Sequence, residues 1–127
     1  MAPSKVLVVE DNADNLALVR FLLERAGFQV FTAGNGLDGL RLARENLPNL
    51  ILLDLAIPAL DGWATARALK ADESTRGIPI VALTAYTMPA DQQRAMEAGC
   101  EGFIPKPINV VAFIKEVSSY LEEKQQH

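Results

Sequence analysis

Cysteine is almost missing. The 127 residues hold one, Cys100, so no internal disulfide can form. A reducing, cytoplasmic setting is the expectation. The single histidine, His127, is terminal, so neither residue has the partner ligands of a zinc site. No apolar run nears the ~18 residues that a membrane-spanning helix needs. Charges arrive at Glu10 and Asp11, before a signal-peptide core could be completed. Basic residues are outnumbered, 12 against 16, for a net charge of −4. Nucleic-acid binding needs a basic face to neutralise phosphates, so nucleic acid is not an expected partner. No Ser/Gly-rich or Pro-rich linker divides the chain, and no internal repeat is visible. With half of its residues hydrophobic, residues 1–127 read as a single domain with a full-sized core.

What is present centres on Leu50-Ile51-Leu52-Leu53-Asp54. Four aliphatic residues in a row read as a strand buried on both faces. A carboxylate is rarely tolerated in a core without a partner. Asp54 therefore belongs where the strand leaves the core, with Pro58 and Gly62 marking the loop beyond. On this stretch alone Asp54 is equally a site residue or a helix-capping aspartate.

Lys5–Val9 reads as the first strand and ends in Glu10-Asp11-Asn12. Asp14 is the expected cap of a helix to about Ala26, with Leu16, Val19, Leu22 and Leu23 inward and Gly27 as its stop. Phe28–Thr32 is a short strand and Gly34-Asn35-Gly36 a turn. Leu37, Leu40, Ala43 and Leu47 line the next helix, which Pro48 ends. After the Leu50–Leu53 strand, a helix from about Gly62 to Ala71 points Trp63, Ala66 and Leu69 inward. Pro79–Leu83 is a buried strand that ends in Thr84. Thr87 and Pro89 open a helix over Ala90–Ala98, stopped by Gly99. Glu101–Ile104 is a strand running into Pro105-Lys106-Pro107. Asn109 caps a final helix lined by Val110, Phe113, Ile114, Val117 and Leu121, and the polar tail from Glu122 is expected to fray.

Five strand–helix units imply an α/β fold: a five-stranded parallel sheet, doubly wound as (βα)5 and covered on both faces. Right-handed crossovers put every strand's C-terminal end on one edge. Glu10, Asp11, Asp54, Thr84 and Lys106 should meet there, although they span almost the whole sequence. Three clustered carboxylates repel one another unless a cation or a shared proton intervenes. Mg²⁺ takes oxygen ligands, with Mn²⁺ as an alternative ion. A carboxylate can also act as a nucleophile and become an aspartyl phosphate. Lys106 could neutralise the transferred group, and the Thr84 hydroxyl could donate to one of its oxygens.

These residues resemble the receiver domains of two-component response regulators. The likeness spans roughly Lys5–Leu121. It rests on Val8-Val9-Glu10-Asp11-Asn12, Asp54 through Gly62, Leu83-Thr84-Ala85 and Lys106-Pro107, in that order and spacing. It implies a CheY-like, flavodoxin-like sheet of order 2-1-3-4-5. It implies Asp54 as phospho-acceptor, Asp11 as direct metal ligand and Glu10 as a ligand acting through water. The Ala56 carbonyl would complete the protein's share of the Mg²⁺ shell. Thr84 would be the hydroxyl that moves toward the phosphoryl group, Lys106 its partner, and Phe103 the switch aromatic. The Lys106-Pro107 bond is often cis in such domains. Thr84-Ala85-Tyr86-Thr87-Met88 with Gly99-Cys100 is similar to DivK-like single-domain regulators and to receivers of hybrid kinases.

The function so implied is a phosphorylation-controlled switch in a phosphorelay. Its donor is a sensor histidine kinase or a histidine phosphotransfer protein. Its output is a changed affinity for a protein target through the fourth helix, fifth strand and fifth helix. It is not an enzyme beyond self-phosphorylation from small donors and slow self-dephosphorylation. A receiver detached from a hybrid kinase or larger regulator is the alternative. A phosphohydrolase wants a second acid two residues after the nucleophile, where Ala56 stands. A pseudo-receiver would not need the intact acidic set, and an FMN site would want hydroxyls and free N–H groups where this chain has acids. Ala56 is also small for the family, and Phe103 lacks the hydroxyl of the more usual tyrosine.

Overall fold

A computed structural model describes residues 3–55, 61–85 and 88–125, with side chains in the last helix described as far as Leu121. Strands and helices alternate along the chain. They are β1 (Lys5–Val9), α1 (Ala13–Arg25), β2 (Gln29–Ala33), α2 (Gly36–Asn46) and β3 (Leu50–Asp54). They continue as α3 (Gly62–Ala71), β4 (Ile80–Thr84), α4 (Pro89–Ala98), β5 (Gly102–Pro105) and α5 (Val110–Gln125). All neighbouring strands pair in parallel, in the order β2-β1-β3-β4-β5. The expected fold and strand order are both found.

Side-chain alternation along the strands divides the core into two layers. Leu7, Val9, Ile51, Leu53, Ile80 and Ala82 face α2, α3 and α4, where they meet Leu40, Ala43, Trp63, Ala66, Leu69, Ala95 and Ala98. Val6, Val8, Leu50, Leu52, Val81, Leu83 and Ile104 face α1 and α5, packing on Val19, Leu23, Phe113, Val117 and Leu121. Every residue of β3 and β4 is buried, which is why their sequences read as unbroken apolar runs.

Several local expectations need correction. Asn12, not Asp14, caps α1: its Oδ1 accepts from the Asn15 N–H at 2.9 Å, and Asp14 lies in the first turn. β2 begins one residue later than expected, because the Phe28 N–H is used on Leu23 O at the end of α1. Leu37 and Leu47 point outward at the two ends of α2, which needs only Leu40 and Ala43 for its inner stripe. Leu47 ends that helix in the left-handed region at φ 46°, its N–H donating to Ala43 O, with Pro48 next in the chain. Val110 is likewise exposed, while Phe113, Val117 and Leu121 carry the inner face of α5. Asn109 does cap α5, its Oδ1 accepting from Val111 and Ala112 N–H. The backbone of α5 stays helical to Gln125, beyond the point where fraying was expected. Thr87, expected to open α4, lies outside the described residues, and Met88 is the residue before its first turn.

Candidate functional site

The parallel sheet brings the strand ends of β1, β3, β4 and β5 to one edge. Glu10 follows β1, where its N–H donates to Ala33 O at 2.9 Å, and its side chain is fully buried. Asp11 is exposed beside it. Asp54 is the last residue of β3 and is 5% exposed. Oxygens of Glu10, Asp11 and Asp54 all lie within 4.8 Å of one another.

Lys106 enters from the far side of the sheet. Its N–H donates to Thr84 O at 3.0 Å, one step past the register pair Thr84–Pro105. That bond seats the lysine and the buried Thr84 side by side. Its Nζ then reaches Asp54 Oδ2 at 3.0 Å and Glu10 Oε1 at 2.6 Å. The contact to Glu10 is close but not aligned as a hydrogen bond, so Oε1 has charge compensation without a directed donor. The other oxygen of Glu10 accepts from the Asn12 N–H at 3.3 Å. The Lys106-Pro107 bond is cis.

Electrostatics follow from this packing. Burial, reinforced by Asp54 alongside, pushes the Glu10 carboxyl above the usual carboxylate range against the pull of Lys106. Burial works against the Lys106 ammonium too, but Glu10 and Asp54 outweigh it and hold its pKa above the ordinary lysine value. One ammonium thus serves two buried carboxylates while a third stands at the rim. A buried carboxylate oxygen without a directed donor and an all-oxygen donor set fit a hard divalent cation, which Glu10, Asp11 and Asp54 could hold.

The structure therefore assembles Glu10, Asp11, Asp54, Thr84 and Lys106 at one edge. Phe103 stands apart on β5, opposite Ala82, half-buried against the α2–α3–α4 layer. Ala56 and Tyr86 lie outside the described residues. Two supporting residues carried no clear sequence signal of their role. Asn12 both caps α1 and holds Glu10 through its backbone. Gly62 returns the chain onto the end of β3, where its N–H donates to Leu55 O at 3.2 Å. A Cβ there would strike Leu55 Cα and come within 2.6 Å of Asp54 O. Only the Asp-Gly pair opening a helix hinted at that close approach.

A five-stranded parallel sheet with this acidic edge defines a class, and comparison with known families names it. The chain belongs to the response regulator receiver domain family, whose model matches residues 6–118. It is a receiver domain of two-component signalling. Among individual proteins it is similar to the polar-differentiation response regulator DivK of Brucella anthropi, with 44% identity over 119 residues, covering 94% of this chain and 97% of that one. The DivK of Brucella ovis is also 44% identical, over 116 residues, covering 91% and 94%.

Solved structures agree. The receiver domain of a sensor histidine kinase from Pseudomonas aeruginosa has 29% identity and a TM-score of 0.88, covering 95% of this chain and 99% of that one. That structure carries a magnesium ion coordinated in its active site cleft. The chemotaxis protein CheY4 of Vibrio cholerae has 29% identity and a TM-score of 0.89, covering 93% and 98%.

Proposed function

We propose that this chain is a phosphorylation-dependent switch whose acceptor is Asp54. One observation carries the reading: Lys106 Nζ stands between Asp54 and Glu10 while three carboxylates converge within 4.8 Å. Of the two carboxylates beside Lys106, Asp54 is the one whose oxygen accepts a hydrogen bond from it, and it is the last residue of a strand buried along its whole length, at the crevice outside the sheet. Its oxygen forms the new P–O bond as the P–N bond of a phosphohistidine breaks, and the electron pair leaves with the donor's imidazole. Lys106 pairs with the phosphoryl oxygens, and the Thr84 hydroxyl donates to one of them.

Glu10, Asp11, Asp54 and the Ala56 carbonyl are the residues that would hold Mg²⁺, or Mn²⁺ in its place. The ion's contribution is neutralisation of the charge that gathers on the transferred group. Its presence in the Pseudomonas receiver supports the assignment. Phe103 changes packing in response, and α4, β5 and α5 present the altered surface to a protein target. The donor is a sensor histidine kinase or a histidine phosphotransfer protein, as the family membership implies. The chain turns over no separate substrate, apart from taking phosphate from small donors and slowly losing it. Residues 1–127 act as one domain in the cytoplasm. No described helix is long and apolar enough to cross a membrane.

The test is labelling with acetyl phosphate and Mg²⁺. The wild type is expected to take up one phosphoryl group and Asp54→Asn none. Undiminished labelling of Asp54→Asn removes Asp54 as the acceptor.

A further inference from the structure

Helix α4 is fastened unevenly. Its C-terminal end is well tied: Gly99 closes it at φ 108°, donating to Met96 O at 3.0 Å, and Cys100 N–H reaches Ala95 O at 3.0 Å. Its N-terminal end has Met88 at the cap, which supplies no side-chain bond. In between, the helix buries only two small side chains, Ala95 and Ala98. One further contact joins it to α3. The Arg94 guanidinium lies 4.2 Å from the ring centroid of Trp63. Arg94 is exposed and forms no ion pair with a described residue, whereas Trp63 is 6% exposed. The guanidinium thus lies over a largely buried indole at a distance well inside the cation–π range.

Trp63 is tied to the end of β3 through the backbone of its neighbour. It follows Gly62, whose N–H is bonded to Leu55 O and whose Cα sits so close to Leu55 and Asp54 O that no Cβ fits. Leu55 follows Asp54 and is itself buried. This close contact joins the backbone at the end of β3 to the first turn of α3, which bears Trp63. This link runs through α3, whereas Thr84 and Phe103 lie on β4 and β5.

We propose that the Trp63–Arg94 stack is a regulatory contact that couples α4 to the state of Asp54. The proposal rests on the reading of Asp54 as phosphoryl acceptor. Contiguity alone does not establish coupling, so the test measures it. Coupling between sites is reciprocal: if occupancy at Asp54 alters the stack, loss of the stack alters affinity at Asp54 by the same factor.

The probe is beryllofluoride, a non-covalent mimic of an aspartyl phosphate, titrated with Mg²⁺ and followed by fluorine NMR of the bound anion. Arg94→Ala removes an exposed side chain, and its fold is checked by circular dichroism. Its affinity for beryllofluoride is expected to differ from wild type by about two- to fivefold, the range a partly exposed cation–π contact can supply. Arg94→Lys keeps the charge but loses the planar stack, and should fall between the two. Trp63→Phe, which keeps a weaker ring, should shift affinity in the same direction as Arg94→Ala. Equal affinities in wild type and all three variants overturn the coupling and leave the acceptor reading intact. A wild type that binds no beryllofluoride overturns the acceptor reading itself.

Discussion

Lys106 Nζ lies 3.0 Å from Asp54 Oδ2, across 52 residues of sequence and from the opposite side of β4. The same ammonium lies 2.6 Å from Glu10 Oε1. Removing Lys106 would leave two buried carboxylates facing each other, and adding a cation would relieve the remaining repulsion. The edge is built to hold negative charge at the limit of what one lysine can balance. That condition suits a site that gains and loses both a metal and a phosphoryl group.

Mg²⁺ should stabilise the fold. At free Mg²⁺ ten times its dissociation constant, mass action contributes about 1.4 kcal/mol. For a domain of this size that raises Tm by roughly 4–7 °C. Asp11→Ala removes a carboxylate at the exposed rim and should abolish most of this shift while leaving the metal-free Tm little changed. Scanning calorimetry with and without Mg²⁺ decides it, and an undiminished shift in the variant would contradict the site.

Asp72 makes a distinct pH prediction. Hydrogen bonds from Ser74 and from the Arg44 guanidinium, 2.6 Å away, lower its carboxyl from 3.8 to about 2. A depressed folded pKa stabilises the protein above 3.8, and that contribution drains away as pH falls toward 2. The Tm gap between wild type and Asp72→Asn should therefore narrow on acidification from about pH 5 to about pH 2. A gap that stays constant would show that the charge of Asp72 does not matter.

Much of this molecule could be read without coordinates, and the reasons are physical. Strands buried on both faces leave unbroken apolar runs, so Leu50–Leu53 and Ile80–Leu83 declared themselves. The parallel topology then brought Glu10, Asp11, Asp54, Thr84 and Lys106 to one edge. Strand order is invisible to periodicity and came from the family resemblance. Helix ends were read less well. Asn12 and Asp14 are both good caps, and only the hydrogen bond to Asn15 separates them. Leu37, Leu47 and Val110 are apolar at helix termini, where the inward stripe has already been filled. The Trp63–Arg94 stack joins residues far apart in sequence through a face that composition does not mark.

Cys100 is expected to be inert. Burial pushes its thiol up to about 11, so almost no thiolate exists at neutral pH. Iodoacetamide at about pH 8 should label the native protein far more slowly than the unfolded chain. Mass spectrometry of a timed reaction would show this, and equal labelling rates in native and denaturing buffer would contradict the burial.

The layer beneath α1 and α5 should be sensitive to a single truncation. Phe113 is among the largest fully buried side chains, packed among Val6, Val8, Leu52 and Leu83. Phe113→Ala should cost about 3–5 kcal/mol of stability, the usual penalty for emptying an aromatic site in a close-packed core. Urea unfolding monitored by circular dichroism measures it. A loss below about 1 kcal/mol would mean that the core collapses to fill the space.

The most direct measurement identifies the atom that takes the phosphoryl group. After reaction with acetyl phosphate and Mg²⁺, borohydride cleaves an acyl phosphate and converts the aspartate to homoserine, which peptide mass spectrometry locates. Asp54 as acceptor predicts conversion at position 54 and at no other acid, dependent on Mg²⁺. Conversion at Asp11 or Glu10 instead, or no conversion at any acid, would contradict it.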